Sequence, residues 1–142
     1  MSYAGDISCE DTFLRLKENS KAQLIDVRTL PEWTFVGVPD LSNLSKQAHT
    51  IDWQQFPTMQ VNQEFISAVE SALAGAGGGK DDEVYCLCRS GVRSIAAAEA
   101  LTAAGFTKAF NVLAGFEGDR NEEGKRGMIA GWKHDGLPWM QK

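Results

Sequence analysis

Short apolar runs, each followed by a stretch with helical spacing, recur along this chain, and that alternation limits the fold more than any other feature. "AQLIDV", "EVYCL" and "KAFNV" have the length and composition of buried strands, and "AHTIDW" is a weaker one. Between them, "NQEFISAVESALAG" repeats Phe65, Ile66, Val69 and Leu73 at helical spacing. "RSIAAAEALTAAG" is an alanine-rich helix able to pack close to a sheet, and Gly105 is placed as its C-terminal stop. Strands alternating with helices predict an α/β fold: a small, mostly parallel β-sheet flanked by helices on both faces. The 142 residues suffice for one domain with a proper core, and no internal repeat or boundary divides them.

Shorter signals fill in the connections. Ser8 followed by Asp11 resembles a helix start, with Phe13, Leu14 and Leu16 as an apolar face running to about Glu18. Pro31 suits the first turn of a short helix over "PEWTFV". "GVPDLSNLSKQ" is a long polar connection, "LAGFEGDRNEEGKRG" a glycine- and charge-rich excursion, and "MIAGWKHDG" a last short helix. "GAGGGKDD" is a linker turn. As a phosphate-binding loop it fails twice: Asp81 follows Lys80 where Ser or Thr is needed, and the glycines precede a strand.

Charge and cysteine content exclude several classes. A net charge of −5 repels nucleic acid and anionic membranes, so neither is an expected partner. The N-terminal stretch has no basic region and no long apolar run, and the expected location is the cytoplasm. Three cysteines, two of them one residue apart, do not suggest a disulfide framework. His49 and His134 are isolated, and no metal or organic cofactor is expected.

In an open parallel sheet, ligands gather outside the carboxyl ends of the strands. Cys88 ends one strand, Arg28 follows "LIDV", Trp53 follows "TID" and "LAGFEG" follows "FNV", so these segments are expected on one rim. Cys88 also faces the start of the next helix, where unpaired N–H groups and the helix dipole favour an anion. A tight loop there can aim successive N–H groups at one point, with Gly91 supplying the necessary backbone freedom. A cysteine in that cradle is expected as a thiolate, and Arg89 and Arg93 can grip an oxyanion with planar donors. Covalent sulfur transfer and phosphoryl transfer both use such a site. Cysteine phosphatases need Cys-x5-Arg, whereas the sixth residue after Cys88 is Ser94 and the arginine comes one place early.

"YCLCRSGVRS" with the helix after it resembles the active-site loop of the rhodanese family of sulfurtransferases, in which "CRSGxRS" is a frequent form. "LIDVRT" with Glu32 resembles that family's first strand and its "DVR…E" signature, while "FNVLAGFEG" and "GWKHDGLPW" resemble its last strand and C-terminal helix. The likeness runs from about residue 20 to the end and is greatest to the single-domain bacterial type, which shares the "GFEG…GKRG" excursion. The chain departs from the frequent "GHIPGA", having "FVGVPDLSNLSKQAHTIDW" instead, which bears on substrate and partner more than on fold.

The resemblance implies ping-pong transfer through a Cys88 persulfide, from a small anionic sulfur donor such as thiosulfate to cyanide or a thiol, with a protein donor or acceptor also open. It implies that Arg89, Ser90, Gly91, Val92, Arg93 and Ser94 bind substrate, with either arginine holding the sulfonate. Asp26 and Arg28 are implied to brace the loop, Arg28 by pairing with Glu32. The alternatives are a docking or anion-sensing module and, with less support, a phosphatase or arsenate-handling enzyme. Cys86, two residues before Cys88, is read as a sheet-core residue rather than a sulfur relay, and Cys9 as structural or exposed. Trp53 lines the mouth or caps the core. Trp132 and Trp139 are packing residues, and the acidic residues of the excursion form a solvated face.

Overall fold

The computed structural model describes residues 2–141. Its main sheet has five strands, all parallel to their neighbours, in the order β1-β8-β7-β2-β4. These strands are β1 (Gly5–Ile7), β2 (Gln23–Asp26), β4 (His49–Thr50), β7 (Val84–Leu87) and β8 (Ala109–Val112). The helices are α1 (Cys9–Glu18), α2 (Leu30–Phe35), α3 (Phe65–Gly75) and α4 (Arg93–Ala103). Two small antiparallel pairs complete the architecture: β3 (Val38–Pro39) with β9 (Trp139–Met140), and β5 (Gln54–Gln55) with β6 (Gln60–Val61).

Side chains on the central strands alternate between two apolar layers, as a sheet covered on both faces requires. Ile25, Val27, Val84, Cys86, Cys88 and Ala109 face α3 and α4, meeting Phe65, Val69, Leu73, Ala97, Ala98 and Leu101. Leu24, Tyr85, Leu87 and Val112 face the other way, toward α1 and the C-terminal segment, meeting Leu16, Phe116 and Trp132. The small alanines let α4 lie close over β7 and β8. Gly105, at φ +102°, ends that helix.

Local chemistry explains where the helices start. Ser8 caps α1, its hydroxyl accepting from the Asp11 N–H at 3.1 Å. The apolar face of α1 differs from the expected one. Cys9, Thr12 and Leu16 are buried, Phe13 is half-buried and Leu14 is exposed, because the i, i+3/i+4, i+7 positions turn inward. Pro31 occupies the first turn of α2.

Three further features depart from the sequence reading. β1 went unseen because it is three residues long and only Ile7 is apolar and buried. The connection after α2 is not merely polar, since Val38 and Leu41 are buried and Val38–Pro39 pairs with β9. The last short helix does not form: residues 127–136 are bends and turns. Gly127, Gly131 and Gly136 have φ of +76°, +115° and +74°, angles that a right-handed helix cannot accommodate. Among the described residues no helix is long and apolar enough to cross a membrane.

Candidate active site

The strand order sets the loop after β7 between the loop after β8 and the loop after β2, all at the carboxyl edge of the sheet. Cys88 continues the alternation of β7, so its side chain lies on the α3/α4 face and turns toward the start of α4. It is 1% exposed. The Gly91 N–H donates to Sγ at 3.0 Å, closing a tight turn that places Gly91 at φ +107°. A Cβ at Gly91 would meet nothing nearer than 3.6 Å, so backbone angle rather than space demands glycine there. Among the described residues, the N–H groups of Arg89, Ser90, Val92 and Arg93 find no protein acceptor. The curl therefore offers an anion a set of unsatisfied donors.

Ser94, fully buried in the first turn of α4, lies 3.2 Å from Cys88 Sγ through its Oγ. The same hydroxyl donates to Asn111 Oδ1 at 2.5 Å. Asn111 Nδ2 in turn donates to Asp6 Oδ1 at 3.0 Å, and the Tyr3 hydroxyl donates to that oxygen at 2.7 Å. These bonds, from Asn111 first and Tyr3 second, hold the Asp6 carboxyl below its ordinary range despite some burial. Asn111, Asp6 and Tyr3 were missed from sequence. Their signal was a buried asparagine inside an otherwise apolar strand run, which needs a partner. Ser94 is positioned to turn its proton to a thiolate. Ser94→Ala is expected to slow iodoacetamide alkylation of Cys88 at neutral pH by about tenfold, the order of one hydrogen bond to a charged group. An unchanged rate would mean that the hydroxyl serves Asn111 alone.

The two arginines of the loop have different situations. Arg93 makes a two-pronged pair with Glu32, Nη1 to Oε1 at 2.7 Å and Nη2 to Oε2 at 2.8 Å, both side chains 18% exposed. Glu32 Oε1 also accepts from the Thr29 hydroxyl at 2.9 Å and the Thr29 N–H at 3.2 Å. One carboxylate thus caps α2 and anchors the start of α4. The expected pairing of Arg28 with Glu32 is corrected: the planar fork that reaches Glu32 belongs to Arg93. Arg89 is exposed and has no ion-pair partner among the described residues.

Burial works to raise the Glu32 carboxyl, but the Arg93 hydrogen bonds and charge, with Thr29 and Arg28, outweigh it and leave it below its ordinary value. A depressed carboxyl contributes stability above its unfolded value and loses it as pH falls through the folded one. Glu32→Gln is therefore expected to cost about 1–2 kcal/mol near neutrality, between a surface and a buried pair. Thermal unfolding should show the gap between wild type and variant closing below the usual carboxylate range. A gap constant down to acid pH would assign the loss to packing.

Asp26 and Arg28 lie on the opposite face of the sheet from the Cys88 sulfur. Both are fully buried, with Arg28 Nε 2.9 Å from Asp26 Oδ1 and Nη2 2.6 Å from Oδ2. Nη2 also reaches the Gly37 carbonyl at 2.7 Å, and the guanidinium stacks 4.2 Å from the Phe116 ring. Phe116 donates its N–H to the Cys88 carbonyl at 2.8 Å, and Glu117 and Gly118 donate to the Arg89 carbonyl at 2.9 and 3.1 Å. A Cβ at Gly115 would fall 2.4 Å from the Cys88 oxygen, so only glycine lets this segment back the loop so closely. The ion pair thus touches the loop through Phe116.

Cys86 is fully buried in the same layer as Cys88, and burial, with the neighbouring Cys88, pushes its thiol well up. Cys9 is buried, not exposed. Its thiol faces the Leu113 and Gly115 carbonyls at 3.5 and 3.4 Å, and burial pushes it up to about 12. Trp53 is half-buried, edge-on to Phe65 at 5.2 Å, and caps the core. Trp132 is buried and Trp139 lies at the surface. Among the described residues no three or more His, Cys, Asp and Glu side chains gather closely enough to hold a metal ion.

A family model described as the STR4 middle domain matches residues 4–142, so the match begins before the point where the likeness was first legible. An uncharacterized protein of Rickettsia rickettsii, the RP600 homolog, is 35% identical over 125 residues, 88% of each chain. The crystal structure of Rv0390 from M. tuberculosis is 44% identical, with a TM-score of 0.87 over 99% of this chain and 100% of that one. A rhodanese-like domain protein from Staphylococcus aureus is 25% identical, with a TM-score of 0.54 over 97% and 98% of the two chains.

Proposed function

Because this chain belongs to the STR4 middle-domain family and has a rhodanese-like fold, we propose that it is a sulfurtransferase working through a persulfide on Cys88. The observation that carries this reading is the cradle: a sulfur receiving the Gly91 N–H at 3.0 Å, surrounded by N–H groups without protein acceptors. A core cysteine needs no such donors, whereas a thiolate and a persulfide anion both do.

The Cys88 thiolate attacks the outer sulfur of a donor such as thiosulfate. The new Sγ–S bond forms as the bond to the sulfonate sulfur breaks, and sulfite leaves with the electron pair. The backbone N–H groups from Arg89 to Ser94 bind the resulting Cys–S–S⁻. The added sulfur stands about 2 Å beyond Sγ. Arg89 holds the donor's sulfonate end, since the Arg93 guanidinium is committed to Glu32. The Arg93 contribution to the cradle is its N–H. Cyanide or a thiolate then takes the outer sulfur and returns the electron pair to Sγ.

The test is intact mass after brief exposure of reduced protein to thiosulfate, with peptide mapping and a sulfite assay. Gain of one sulfur atom on Cys88 with equivalent sulfite is expected. Folded, reduced protein that gains no sulfur from thiosulfate or from a small persulfide donor would sink the reading.

A further inference from the structure

Beside the Cys88 loop, Ser90 and the excursion after β8 enclose an open groove of about 530 Å³, lined by Ser90, Asp119, Arg120, Asn121, Glu122 and Arg126, with Gly124 completing its wall. The wall is held to the loop itself through the bonds of Glu117 and Gly118 to the Arg89 carbonyl. It is also braced internally. Asn121 Oδ1 accepts from the Glu123 and Lys125 N–H groups at 3.0 and 2.9 Å, and Gly127 donates to the Glu117 carbonyl at 2.6 Å. A groove ordered in advance binds a ligand without the cost of ordering a loop.

Its charges are of both signs. Arg126 uses Nη1 on the Gly118 carbonyl at 2.8 Å and keeps its remaining donors. Asp119, Arg120 and Glu122 have no ion-pair partner among the described residues. A purely anionic donor would meet two carboxylates here, and an apolar ligand would meet almost no apolar wall. A molecule bearing both ammonium and carboxylate matches the lining. Ser90 is two residues from Cys88, within about 7 Å along the chain, and a tripeptide reaches about 10 Å.

We propose that this groove is the acceptor subsite, taking a low-molecular-weight thiol of the amino-acid or peptide type. Arg120 and Arg126 receive its carboxylates, and Asp119 and Glu122 its ammonium group. This rests on the sulfurtransferase reading and names its second substrate. The bound thiol loses its proton to solvent, and its sulfur attacks the outer atom of Cys88–S–S⁻. The RS–S bond forms, the Sγ–S bond breaks, and the electron pair returns to Sγ, so RS⁻ leaves as RSS⁻ with no oxidant or reductant required.

Binding and turnover are tested separately. Resonances of Ser90 and of residues 119–126 should shift on titration with S-methylglutathione, which cannot react, and Arg120→Ala or Glu122→Gln should weaken that binding by about tenfold. With the persulfidated protein, the same variants should lower kcat/KM for glutathione by about tenfold while leaving cyanide and 2-mercaptoethanol unchanged. Equal losses with all three acceptors, or shifts confined to residues elsewhere, would overturn the subsite. Persulfide formation without probe binding overturns the groove alone. Probe binding at these residues without persulfide formation overturns the sulfurtransferase reading and supports the groove as a site for such ligands.

Discussion

Cys88→Ser is expected to abolish sulfur uptake from thiosulfate, a loss of more than about a thousandfold, while Cys86→Ala keeps it. The serine hydroxyl fits the same space and can still accept from the Gly91 N–H, so the fold should survive with the cradle intact. On the proposed reading, what disappears is the sulfur atom that attacks the donor and holds a second sulfur. Cys86 is the informative control. It lies two residues away in the same layer, yet it is fully buried on β7 and burial holds its thiol protonated. Mass spectrometry and sulfite release read both variants directly. Sulfur retained by the Cys88→Ser protein, or mapped to Cys86, would contradict the assignment of the nucleophile.

Arg28→Met should destabilise the protein by about 3–5 kcal/mol, because the Asp26 carboxylate would stay buried without its cation. For a chain of this size that lowers the melting temperature by about 10 °C or more. Arg28 is fully buried and its Nη1 has no acceptor among the described residues, so the native pair is itself imperfectly satisfied. Replacing both members, Asp26→Leu with Arg28→Met, is therefore expected to recover most of the loss. If the double variant melts with the single one, packing of the arginine on Phe116 and its bond to the Gly37 carbonyl matter more than the charge.

Much of the fold was legible because its central strands are apolar on both faces and its helices are long enough to show their period. β7 and α4 meet at Cys88, and the run "EVYCLCRSGVRS" marks strand, loop and helix start without reference to anything distant. β1 and β9 were not legible. Neither has the length to set up a pattern, and each forms only because a partner strand, β8 or β3, satisfies its backbone. The C-terminal turns misled in the opposite sense. Their spacing suits a helix, but glycines at positive φ close the chain back onto Gly115 and Phe116.

The sequence by itself determined the strand-loop-helix unit, the placing of Cys88 at its bend and the glycine that lets the loop curl. Such features depend on neighbours a few residues apart, where spacing and backbone preference decide. Only the tertiary structure decided which arginine is free. Glu32 could have met Arg28 or Arg93, and the choice follows from the face of β2 on which Arg28 emerges and from the height at which α4 begins. It alone brought Asn111 and Asp6 behind Ser94, and the charged excursion beside Ser90. Long-range pairing of polar groups depends on which strands become neighbours, and one-dimensional spacing carries no record of that distance.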